Sequence, residues 1–98
     1  MIFQEIVLKT ADGAIHKYFI EEINQDEYKV NFREDQHLKT EWSGGIPPVF
    51  TSAKKAFLFI LKIMKNIPSN IINITSNGTF LKVEDIQKLC NDDSIIVT

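Results

Sequence analysis

The sequence has 98 residues, of which 44% are hydrophobic and 24% are charged, and its formal net charge is −2. This length and balance predict a single globular domain, residues 1–98, and argue against an intrinsically disordered chain. The longest uninterrupted apolar run, 56–61, is far shorter than the roughly 20 residues that a membrane-spanning helix needs. We therefore expect no membrane insertion and a cytoplasmic location, which the single cysteine also favours.

The first 42 residues carry the patterns of four β-strands separated by polar turns. Residues 2–10 and 14–22 are rich in β-branched and aromatic side chains, and Asp12-Gly13 between them is a tight-turn signal. This combination predicts a β-hairpin. Residues 28–33 alternate apolar and polar side chains, and the shorter stretch 37–42 continues the series. Each strand is expected to turn one face to the core and the other to water.

The stretch 51–66 is the only long segment that is strongly apolar and free of Gly and Pro, and it predicts an amphipathic α-helix. At about 100° per residue, one side of this helix is apolar. That side holds Ala53, Ala56, Phe57, Ile60, Ile63, Met64 and Ile67. The opposite side holds Lys54, Lys55, Lys62 and Lys65. Thr51 or Ser52 is the expected N-cap, and the proline pair before it marks the connection from sheet to helix.

The last third predicts a strand at 71–75, a turn at 76–78, a partner strand at 79–83, a short helix at 84–90 and a final strand at 94–98. A sheet with one apolar face needs a covering layer, and the helix at 51–66 has the apolar surface to provide it. The predicted fold class is therefore α+β. It is an antiparallel sheet of about 5–7 strands with one long helix packed on one face and a short C-terminal helix.

The charges are unevenly distributed along the chain. Residues 21–41 contain seven acidic and three basic residues, whereas residues 51–68 contain four lysines and no acidic residue. Leu58 and Leu61 fall within the same arc of the helix as the lysines. Exposed leucines bracketed by cations are typical of a contact surface. In the competing interpretation, the loop 46–50 or the C-terminal strand covers both leucines.

No motif in the sequence indicates a catalytic reaction, a cofactor or a metal site. We expect a non-enzymatic protein-binding module, of the general kind represented by inhibitor and immunity proteins of bacterial toxins. The acidic residues would face a cationic toxin or nuclease, or the lysines would face an acidic partner. The candidate partner-binding residues are Glu21, Glu22, Asp26, Glu27, Lys54, Lys55, Leu58 and Lys62. A homodimer through the sheet edges or the leucines of the helix is a further hypothesis.

Two other functions belong to different classes. The first is single-stranded nucleic-acid binding, with Phe59, Tyr18 or Trp42 stacking on bases beside the lysines, although the net negative charge disfavours it. The second is a small ribonuclease in which His16 and His37 divide the acid and base roles. The segments around both histidines are neutral or acidic, whereas phosphodiester cleavage needs cations near the reacting phosphate.

Overall fold

The computed structural model describes residues 3–32, 48–66 and 69–98. These residues form a six-stranded open sheet and two helices. In chain order the elements are β1 (Phe3–Thr10), β2 (Ile15–Asn24), β3 (Glu27–Phe32), β4 (Val49–Phe50), α1 (Ala53–Lys65), β5 (Ile71–Gly78), α2 (Val83–Cys90) and β6 (Ile96–Val97). The mixed α+β class predicted from the sequence is confirmed.

The strand order across the sheet is β4-β3-β2-β1-β5-β6. The first three strands form two consecutive hairpins, and β5 adds antiparallel to the free side of β1. The last pair is different, because β6 runs parallel to β5 with Ile96 opposite Asn73. A parallel pair needs a crossover connection, and α2 provides it. The expectation of a purely antiparallel sheet was therefore wrong at this edge.

Alternation along the strands gives the sheet an inner and an outer face. Fully buried side chains on the central strands point to one side, which we call the inner face: Ile6, Leu8, Tyr18, Ile20 and Val30. Residues of both helices belong to the same core cluster, so α1 and α2 lie on this side. The alternate residues, such as Glu5, Val7, Lys17 and Phe19, lie on the opposite side, which we call the outer face.

Helix α1 covers the inner face with the apolar side predicted from its periodicity. Seven of its 13 residues are buried: Ala53, Ala56, Phe57, Ile60, Leu61, Ile63 and Met64. Ser52 is the N-cap, and its Oγ accepts a hydrogen bond from the N–H of Lys55 at 3.2 Å. The helix is somewhat shorter than the predicted 51–66, but its position agrees with the prediction, and so does the burial of each of the seven residues except Leu61.

The predicted hairpin partner at 79–83 is not a strand. Strand β5 instead continues to Gly78, and residues 79–82 form no regular structure before α2 begins. The cause is Gln4, a buried residue of β1. Its Oε1 accepts hydrogen bonds from the N–H groups of Phe80 at 2.8 Å and Leu81 at 2.9 Å. Its Nε2 donates to the carbonyl of Leu81 at 3.1 Å and to Ser76 Oγ. One side chain therefore binds the backbone groups that a strand would use for pairing.

Gly78 permits the close approach of this segment to β1. Its φ is +155°, and a Cβ added there would lie 2.7 Å from both the Gln4 Cα and the Phe3 carbonyl oxygen. Both of these are backbone atoms that cannot move independently of the sheet. Glycine is therefore required for steric reasons at the end of β5.

The fourth strand also differs from the prediction. The predicted strand at 37–42 lies outside the described residues, whereas β4 falls in a stretch that we expected to be irregular. Its two residues pair with β3, with Phe50 opposite Tyr28. The carbonyl of Pro48 extends this pairing by accepting from the N–H of Val30 at 3.2 Å. Proline cannot donate, but it can accept at the edge of a sheet.

We expect Gln4→Ala to lower the free energy of unfolding by about 3 kcal/mol, because it leaves buried backbone groups of Phe80 and Leu81 without partners. Urea unfolding measures this change. Gln87→Ala is the matched control, since the Gln87 amide makes only two long hydrogen bonds, at 3.3 and 3.4 Å. Its cost should stay within about 1 kcal/mol. Equal costs for the two variants would contradict the role assigned to Gln4.

Candidate functional site

The outward side of α1 is the most distinctive surface in the described part of the chain. Four lysines surround one leucine on it, and we call this group the lysine surface: Lys54, Lys55, Leu58, Lys62 and Lys65. The lysines lie three, four or seven residues from Leu58, and these spacings place them on the same side of a helix. Leu58 is 43% exposed, so an apolar side chain occupies the middle of a cationic surface.

Within the described residues, no lysine of this surface forms an ion pair, although Asp92 offsets part of the charge of Lys65. Among the residues that the structure describes, the one ion pair joins Lys29 to Glu21 on the sheet. Lys55 Nζ donates to Thr51 Oγ1 at 3.0 Å, which leaves its charge uncompensated. The first turn of α1 contains no acidic residue. Lys54 and Lys55 therefore lie at the positive end of the helix dipole, where a cation is unfavourable and an anion is favoured.

Leu61 does not belong to this surface, contrary to the prediction. It is only 3% exposed and forms part of the core. The reason is its spacing from Phe57 and Met64, four residues before it and three after it, both of which are fully buried. The buried arc of α1 is therefore wider than the helical projection predicted. The exposed apolar part of the surface is reduced to Leu58.

The four acidic candidates do not share one face. Glu21 and Glu22 are adjacent in β2, so their side chains point to opposite sides of the sheet. Glu21 Oε1 lies 3.9 Å from Lys29 Nζ on the outer face. Glu22 Oε2 accepts a hydrogen bond from the Tyr28 hydroxyl at 3.3 Å. Partial burial raises the pKa of Tyr28, and the nearby charge of Glu22 raises this pKa further.

The other two acidic candidates lie at the turn between β2 and β3. Asp26 has a positive φ of 57°, and Glu27 begins β3 opposite Asn24. Both side chains are exposed. The hairpin tip is therefore negative. It does not form one continuous surface with both Glu21 and Glu22.

The residues proposed for base stacking are not presented together on a surface. Tyr18 is fully buried, and its hydroxyl donates to Met64 Sδ at 3.2 Å, so it cannot stack on a nucleic acid. Phe59 is half-buried, with its ring centroid 5.1 Å from that of Phe50. Trp42 lies outside the described residues. Tyr18 is therefore no longer a candidate for stacking on bases.

The structure describes one of the two histidines of the ribonuclease hypothesis, His16. His16 is 5% exposed and lies on the inner face of β2, opposite Leu8. His37 lies outside the described residues. The paired acid and base roles therefore stay a prediction. The buried position of His16 gives a polynucleotide little access to its ring.

A cavity of about 430 Å³ opens beside the C-terminal end of α1. Its polar lining includes Lys65, Asn70, Asp92 and Ser94. The lysine and the aspartate have opposite charges, so the cavity has no single charge that would select an anion or a cation. Cys90 lies nearby on α2 and is buried, and burial raises the pKa of its thiol.

Residues 3–32, 48–66 and 69–98 contain no group of three or more His, Cys, Asp or Glu side chains arranged to hold a metal ion. In the same ranges, neither helix is long and apolar enough to cross a membrane. Comparison of the chain with protein-family models, with curated proteins and with solved structures finds no match.

The different environments of the two leucines predict different costs of truncation. We expect Leu61→Ala to lower the free energy of unfolding by about 3 kcal/mol, because it removes core contacts and leaves a cavity. Leu58→Ala should change it by no more than about 0.5 kcal/mol, since Leu58 lies on the surface. Urea unfolding of both variants measures these changes. Similar values would show that the boundary of the buried arc is placed incorrectly.

The buried hydroxyl of Tyr18 predicts a loss of stability at alkaline pH. Burial raises the pKa of Tyr18 above its ordinary value of 10.0, so the folded state favours the neutral phenol. Its contribution is complete below pH 10 and is lost as the pH rises toward the raised pKa. Urea midpoints between pH 8 and 11 should fall less steeply for Tyr18→Phe than for the unmodified protein. Identical slopes would contradict this assignment.

Proposed function

We propose that this protein is a non-enzymatic protein-binding module, and that the lysine surface of α1 contacts an acidic surface of its partner. The observation that carries this proposal is the arrangement of four exposed lysines around the exposed Leu58. A solvated helix face usually mixes both charges and has no large apolar residue at its centre. An apolar centre with a charged rim is the usual anatomy of a protein interface.

The same features favour a protein partner over a nucleic acid. Nucleic-acid affinity comes largely from the phosphates that a protein neutralises, and a chain with net charge −2 opposes close approach of a long polyanion. Stacking platforms also need exposed aromatic rings beside the cations. The nearest ring, Phe59, packs against Phe50 at the margin of the lysine surface. Leu58 offers apolar contact and has no aromatic ring for stacking on a base.

An inhibitor or immunity protein of a cationic toxin would instead use the acidic residues of the β2–β3 hairpin. Two of these carboxylates already have partners within the chain, Lys29 for Glu21 and the Tyr28 hydroxyl for Glu22. Electrostatic steering by the hairpin would then depend mainly on the exposed Asp26 and Glu27. We therefore rank this interface second. Reversal of the charges of these acidic residues tests this interface, as reversal of the lysines tests the lysine surface.

A charge-reversal series on the immobilised protein distinguishes these alternatives. Two probes of equal length and charge, a polyglutamate peptide and a poly-uridine RNA, are titrated by biolayer interferometry at 50 mM salt. Lys54→Glu combined with Lys62→Glu should weaken peptide binding at least tenfold, because it changes the surface charge by four units. Lys88→Glu, an exposed lysine of α2, is the matched control and should change binding by less than twofold.

Leu58, the apolar residue at the centre of the lysine surface, provides a readout that does not depend on charge. The native partner is first isolated from the host by cross-linking and purification. Leu58→Ser should then weaken the binding of this partner and leave the binding of polyglutamate unchanged. Reversal of Glu21, Glu22 and Asp26 to lysine should leave partner binding intact. Loss of partner binding on this second reversal, with no effect of the lysine variants, would replace the proposal with the inhibitor interface. Tighter binding of the RNA than of the peptide would replace it with the nucleic-acid function.

A further inference from the structure

The outer face of the sheet exposes large apolar side chains. Both helices lie on the inner face, so neither covers it. Phe3 on β1 is 47% exposed and Ile15 on β2 is 50% exposed. Phe3 packs edge to face against Phe19, with ring centroids 5.8 Å apart. Val7 lies between these groups on β1 and is half-buried. These residues form an apolar band across two neighbouring central strands.

Charged residues are arranged in order along this band. The acidic residues Glu5 and Glu21 lie at the end of the outer face that holds Phe3. The lysines Lys9 and Lys17 lie at the other end, the end that holds Ile15. Strand alternation and the antiparallel register of β1 and β2 put all four side chains on one face. This face therefore has an acidic end that also holds Phe3 and a basic end that also holds Ile15, although Lys29 offsets part of the acidic charge.

We propose that the outer face packs against the outer face of a second copy of this chain. Two identical faces meet around a twofold axis that lies between them and runs across the strands. This rotation reverses the strand direction, so the acidic end of each copy covers the basic end of the other. Glu5 then lies near Lys17 of the second copy, and Phe3 lies near its Ile15. The contact is isologous, and every pair occurs twice.

The charges on this face favour a second copy over a nucleic acid. The exposed Phe3, beside the half-buried Phe19 on the adjacent strand, could stack on a base. However, the direct cross-strand neighbour of Phe3 is Glu21, and that of Phe19 is Glu5. Carboxylates in these positions repel a phosphate backbone, whereas lysines of a second copy neutralise them. Self-complementarity along the strands identifies the occupant as another molecule of the same protein.

The size of the face predicts a weak, reversible dimer. The four longer strands, β1, β2, β3 and β5, are spaced about 4.8 Å apart and are about eight residues long on average, which gives a footprint on the order of 500 Å² on each copy. Stable interfaces bury about 800 Å² on each partner. A dissociation constant in the micromolar range is therefore expected. Both α1 helices would point away from the interface, so the lysine surfaces remain accessible on opposite sides of the dimer.

Sedimentation equilibrium with a charge-swap series tests the proposal. The unmodified protein should dimerise at concentrations between 10 µM and 1 mM. Lys17→Glu and Glu5→Lys should each weaken dimerisation at least tenfold, because each places like charges together. The double variant Lys17→Glu/Glu5→Lys should restore the affinity to within about threefold. Lys88→Glu on α2 is the matched control and should have no effect.

A measurement on the unmodified protein tests dimerisation without requiring that the variants fold. In a sample of mixed isotope labels, intermolecular NOEs should join the ring protons of Phe3 to the methyl groups of Ile15. A monomer at 1 mM, an unchanged dimer in the single variants or failure of the double variant to restore it would overturn the proposal. So would binding of poly-uridine RNA in competition with dimerisation. None of these results depends on whether the lysine surface binds a partner.

Discussion

Burial of the apolar side of α1 against the inner face of β2, β3 and β4 is the interaction on which the rest of the structure depends. An amphipathic sheet and an amphipathic helix each expose apolar surface alone, and each is covered when the two pack together. Tyr18 and Met64 meet at this contact, where the phenol donates to the thioether sulfur. The same packing fixes the orientation of α1 and thereby decides which of its side chains remain accessible.

Local periodicity was sufficient to predict most elements of this fold. Strand-forming composition predicted β1 and β2, alternation predicted β3, and helical spacing predicted α1 together with most of its buried side. The errors occurred where distant residues decide the local structure. Gln4 binds the backbone of residues 76 positions further along the chain, and no pattern within the segment 79–83 reports that contact. The parallel pairing of β6 likewise depends on the path of α2 over the sheet.

The candidate site was predictable to a similar extent. The lysines could be placed on one face because they repeat with the helical period, whereas Leu61 was misplaced because the width of the buried arc depends on the surface beneath the helix. The acidic residues of β2 were grouped by their proximity in sequence. Strand alternation separates Glu21 from Glu22, and the structure gives each a different partner. Composition by segment therefore overestimated the continuity of the negative surface.

The two outermost strands of the described sheet, β4 and β6, contain only two residues each. Strands this short offer few unpaired amides and carbonyls to an incoming chain, and short edge strands of this kind oppose fibrillar growth. Polymerisation by strand pairing at the edges of the sheet is therefore disfavoured. The proposed stacking of two outer faces would instead stop at two molecules, because an isologous contact uses the same face of both copies.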